Sequence, residues 1–83
     1  MKDRFVKEKN DRMEIFIPYD RNKDTLFTSI NDNFFEATVQ AEDGSHEQKT
    51  SLFLPNDIDV RSETQTYDSN QHLMIVSFNK IKR

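Results

Sequence analysis

The sequence predicts an all-β chain folded as a compact antiparallel β-sandwich, and three observations carry that prediction. Short runs of apolar and β-branched residues alternate with period two, turn signals recur every eight to twelve residues, and no segment reads as a helix. Six to eight short strands at this spacing fill two stacked antiparallel sheets. Eighty-three residues form a single domain, near the lower end of what folds alone. Seven Phe with scattered Ile, Leu and Val supply one thin core.

The elements follow in order. Met1–Arg12 is a charged N-terminal arm in which Phe5 and Val6 interrupt the charges, and it is expected to fray or to add a short edge strand. Glu14-Ile15-Phe16-Ile17 is a β-rich run that stops at Pro18, whose nitrogen cannot donate to a ladder. Asp20-Arg21-Asn22-Lys23-Asp24 is a polar loop. Leu26, Thr28 and Ile30 then alternate until the turn residues Asn31-Asp32-Asn33.

The strongest local signal is Asp43-Gly44, with the only Gly of the chain, between two alternating segments. A two-residue type I′ turn there sets Val39 opposite Gln48, Ala37 opposite Thr50 and Phe35 opposite Leu52. One face of the hairpin then holds Phe35, Ala37, Val39, Leu52 and Leu54, and the other holds Phe34, Glu36, Thr38, Lys49, Ser51 and Phe53. Leu54-Pro55-Asn56-Asp57 breaks the strand, Ile58 and Val60 form a short apolar island, and Ser62–Tyr67 is a polar strand. After the loop Asp68–His72, Leu73–Phe78 is the most apolar strand and is expected to be central. The domain boundaries are therefore 1–12 for the arm, 13–80 for the sandwich and 81–83 for a tail. The expected core is Ile15, Ile17, Leu26, Ile30, Phe35, Ala37, Val39, Leu52, Leu54, Met74, Val76 and Phe78.

Composition and motifs exclude most chemistry. Without Cys there are no disulfides, cysteine metal sites or thiol nucleophiles. Twelve basic against fifteen acidic side chains give a net charge of −3 and no basic footprint for nucleic acid. No stretch approaches the roughly 20 apolar residues of a membrane helix, and the charged start does not read as a signal peptide. A cytoplasmic chain is the expectation. Asp20, Asn22 and Asp24 have the start of a calcium-loop spacing, but Thr25 and Asn31 stand where that loop needs Gly and Glu. His46 and His72 lack ligand partners at metal spacing, no Ser sits in a nucleophile elbow, and a single Gly cannot make a phosphate loop. No enzyme, cofactor or metal is expected. Phe34 and Phe53, paired on the outward side of the hairpin, either pack under the N-terminal arm or a loop or form an apolar patch for a protein partner, and they are the candidate partner-binding residues.

The order of these residues resembles the α-crystallin domain of small heat-shock proteins. Ile15-Phe16-Ile17-Pro18 is similar to its opening strand, Leu26–Ile30 and Phe35–Val39 to the next two, and Leu52-Phe53-Leu54-Pro55 to its C-terminal signature. His72-Leu73-Met74, Val76, Phe78 and Asn79-Lys80 occupy the places of its last strand, with His72 where the family has Gly and Asn79 where it has Pro. The resemblance spans Met13–Lys80 and implies an α-crystallin-like sandwich, of the immunoglobulin-like topology class, acting as an ATP-independent chaperone. It also implies a partner groove between Leu26–Asn31 and Ser62–Tyr67, which adds Leu26, Thr28, Ile30, Thr64 and Thr66 to Phe34 and Phe53 as partner-binding residues. The expected partner is an unfolded client or another protein. The family's large assemblies use a long N-terminal region and an Ile-x-Ile tail, and its exchanged loop is longer than Ala41–His46, so a monomer or homodimer is expected here. The competing expectation is a non-chaperone adaptor on the same sandwich, similar to CS-type co-chaperone domains, or a small phage-borne inhibitor that masks a protein surface.

Overall fold

The computed structural model describes residues 5–81. Its strands are β1 (Val6–Glu8), β2 (Arg12–Pro18), β3 (Asp24–Asn31) and β4 (Phe34–Ala41), followed by β5 (Glu47–Phe53), β6 (Thr64–Asp68) and β7 (Leu73–Asn79). They form two antiparallel sheets, a four-stranded one in the order β1-β2-β7-β6 and a three-stranded one in the order β3-β4-β5. The chain crosses between sheets after β2 and returns after β5 through a single 3₁₀ turn, Val60–Ser62. Of the expected arm and tail, residues 1–4 and 82–83 lie outside the described residues.

Alternation builds the core. Met13, Ile15 and Ile17 of β2, Phe35, Ala37 and Val39 of β4, and Val76 and Phe78 of β7 all point between the sheets and are buried. The rings of Phe35 and Phe78 meet edge to face across the sandwich, with centroids 6.1 Å apart at 82°. Leu54 closes one end: it is 2% exposed, its N–H donates to the Asn33 carbonyl at 2.7 Å, and its carbonyl accepts from the Asn33 side chain. As the sequence reading expects, β7 is an interior strand, paired with both β2 and β6.

Three details differ from the sequence reading. Leu26, Ile30, Leu52 and Met74 are only half-buried; the first three lie on edge strands, where one flank of each side chain has no neighbouring strand. Met13 and Ile58 take buried places instead, Ile58 through a bridge to Lys80. The hairpin register is the expected one, with Phe34 opposite Phe53 and Val39 opposite Gln48. Its turn is not a two-residue type I′ turn, because Gly44 has φ +76° while Asp43 does not have positive φ. The Gly44 N–H donates to the Ala41 carbonyl at 2.9 Å and the Ala41 N–H to the His46 carbonyl at 3.0 Å, so four residues make the loop. A four-residue loop centred on the same dipeptide leaves the register unchanged.

Candidate protein-binding surface

The seven candidate residues fall in three places, two on the three-stranded sheet and its edge and one on the outer face of the four-stranded sheet. Strand alternation puts Phe34 and Phe53 on the outer face of the three-stranded sheet, where their ring centroids are 4.8 Å apart. Phe34 is half-buried, whereas Phe53 is 71% exposed. Phe27, not among the seven, is 55% exposed on the same face. The signal for it was present: if Leu26, Thr28 and Ile30 point inward, the residue between the first two points out. Ser29, Glu36 and Ser51 separate Phe27 from the other two rings, and Lys49 stands two pairs along from Phe53.

The second place is the opening between β3 and β6, which are edge strands of different sheets. Leu26, Thr28 and Ile30 present their half-buried side chains there. The Gln65 amide donates to Thr28 Oγ1 at 3.3 Å and to Glu63 Oε2 at 2.6 Å, joining the two edges with polar atoms. Thr64 and Thr66 are not brought to this opening. Their partners Ser77 and Ile75 lie on the outer face of the four-stranded sheet, so both threonines are exposed there. Gln65 and Tyr67 form the β6 wall in their place.

One end of this opening is held by a small cluster. The Arg21 guanidinium lies 4.6 Å over the Tyr67 ring, and the Arg21 N–H donates to the Tyr67 hydroxyl at 3.2 Å. Tyr19 packs edge to face on Tyr67 at 5.7 Å, and His72 Nδ1 is 3.4 Å from the Tyr67 hydroxyl and 3.9 Å from Asp20 Oδ1. The β2–β3 connection is thereby fastened to the end of β6.

Electrostatics elsewhere is local. Asp43 has its pKa lowered because its carboxylate accepts hydrogen bonds from Ser45, which ties down the hairpin loop. Lys80 has its pKa raised, first by its 2.8 Å hydrogen bond to the Glu8 carboxylate, which links β1 to the segment after β7. No group of three or more His, Asp or Glu able to hold a metal ion occurs among the described residues.

No protein-family model matches the chain, and no curated protein matches it. Among solved structures it is similar to Stress-induced protein 1 from Caenorhabditis elegans, with 13% identity and a TM-score of 0.66. The likeness covers 94% of this chain and 87% of that one, so it extends over the whole sandwich. At this identity it establishes the fold: the chain is an antiparallel β-sandwich built like that stress-induced protein.

Proposed function

We propose that this chain is an ATP-independent, small heat-shock-like chaperone or binding module that holds extended or unfolded segments of other proteins at its sheet edges. The observation that carries the reading is the Phe34–Phe53 pair on the outer face, whose exposed member Phe53 lies on the free edge strand β5. An apolar surface beside unpaired backbone groups offers both components of strand addition, side-chain contact and main-chain hydrogen bonds. Likeness in fold to a protein named as stress-induced supports the same reading. The test is light scattering from a heat-aggregating client protein mixed with this chain in molar excess and no ATP. The reading expects suppressed scattering, and weaker suppression by Phe53→Ser. No protection at molar excess overturns it.

The adaptor reading is favoured by one observation, the polar β6 wall. Gln65 spends its amide on Thr28 and Glu63, so an apolar segment entering between β3 and β6 finds little apolar area. Saturable binding of one folded partner, with no client protection, would support it over the chaperone.

A further inference from the structure

The ladder between β4 and β5 determines which backbone groups of β5 are free. The Ala41 N–H donates to the His46 carbonyl at 3.0 Å, and at the other end the Leu54 N–H donates to the Asn33 carbonyl at 2.7 Å. Hydrogen-bonded pairs alternate in an antiparallel ladder, so Gln48, Thr50 and Leu52 are the β5 residues bonded to β4. The N–H and C=O groups of Glu47, Lys49, Ser51 and Phe53 therefore point off the sheet, and β5 has no further neighbouring strand among the described residues. These same four residues carry their side chains on the outer face, in the row that contains Phe53. An incoming strand is thus read at alternate residues by Phe53, Ser51 and Lys49.

Building on the binding role proposed above, we infer that the β5 edge accepts an extended segment with a large apolar residue followed, four residues later, by a carboxylate. Antiparallel to β5, the apolar side chain lies opposite Phe53 and extends the Phe34–Phe53 pair. The carboxylate then lies opposite Lys49, roughly 13 Å further along the strand. Lys49 has no ion pair within the described residues, so its charge is free to select. Cross-strand apolar and opposite-charge pairs each stabilise such an arrangement, and a like charge opposite Lys49 opposes it. Between them, the residue opposite half-buried Leu52 continues the core edge and is best filled by a β-branched apolar side chain.

A second copy of this chain fits this edge less well. If Glu47 of one β5 lies opposite Lys49 of the other, Phe53 faces Asp43, beyond the strand. If Glu47 lies opposite Phe53, then Lys49 faces only Ser51. No register within the strand supplies an apolar group to Phe53 and a carboxylate to Lys49 together. The pattern on this edge is complementary to a different sequence.

The probe is a capped heptapeptide, Thr-Phe-Val-Thr-Thr-Glu-Thr, with a control in which Lys replaces its Glu. Each is titrated into the protein and into Lys49→Glu, with binding read from backbone amide shifts. The wild type is expected to bind the Glu peptide about fivefold more tightly than the Lys peptide, and Lys49→Glu to reverse that order, as suits an exposed charge pair. The amides of Glu47, Lys49, Ser51 and Phe53 should move most. Lys49 is exposed, and unchanged amide shifts away from β5 report that the variant keeps its fold. The same order in both proteins, shifts that avoid β5, or no binding at millimolar peptide overturns the assignment. Client protection without the reversal rejects the edge assignment and leaves the holding role; reversal without client protection keeps the edge site and rejects the chaperone role.

Discussion

Phe34 and Phe35 are neighbours in the chain with opposite surroundings, because successive strand side chains face opposite sides of the sheet. Phe35 is fully buried against Phe78, so Phe35→Ala should cost about 3–5 kcal/mol, a large share of so small a domain's stability. Phe34→Ala loses only the contact with exposed Phe53 and part of its burial, about 1 kcal/mol. Urea denaturation measures both, and equal large losses would mean that the outer face is covered. Three turn residues, Asp32, Gly44 and His72, are held at positive φ, and two of them give a test. Gly44 has φ +76° and His72 has φ +54°, both in the left-handed region. Gly44→Val should destabilise by about 1–3 kcal/mol although nothing stands within 4 Å of the added Cβ, since the strain is in the backbone. At His72, the place where the resembled family has Gly, His72→Gly should hold or raise the melting temperature while His72→Val lowers it. A lower melting temperature for His72→Gly would mean that its contacts to Tyr67 and Asp20 outweigh the strain.

At the scale of strands, ladder parity predicts hydrogen exchange residue by residue. The amides of Gln48, Thr50 and Leu52 should be protected, and those of Glu47, Lys49, Ser51 and Phe53 should exchange rapidly, an alternation no loop would show. Uniform protection along β5 would mean that its edge is already paired. The attachment of β1 has its own signature in pH. Because Lys80 is held above its ordinary 10.5 by Glu8, the pair's contribution is present below that value and is lost as pH rises through the folded one. The melting temperatures of wild type and Glu8→Gln should therefore converge at strongly alkaline pH; a constant separation would show that the pair does not hold β1. The hairpin was legible in the sequence because Asp43-Gly44 and the apolar alternation on both sides point to one register. Thr64 and Thr66 were misplaced relative to the opening because Glu63–Thr66 is polar on both faces. With no apolar alternation, facing is decided by the partner strand, and only the pairing of Thr66 with Ile75 reveals it. Leu26, Ile30 and Leu52 are less buried than their alternation implies for a related reason: alternation shows which way a side chain points but not whether a further strand covers it.

Among the described residues the two sheets have four edge strands, β1, β6, β3 and β5, and β5 ends in Phe53, the most exposed of the large apolar side chains. Self-pairing through β5 leaves either Phe53 or Lys49 without its complement, so sedimentation should show monomer and at most dimer. A stable species of a dozen or more chains would contradict that. The holding role and the edge assignment meet in one measurement, amide hydrogen exchange of this chain with and without an unfolded client. Glu47, Lys49, Ser51 and Phe53 should gain protection when the client is present, while the free amides of β3 should not. Protection gained at Leu26, Thr28 and Ile30 instead, or at no strand edge at all, would contradict that.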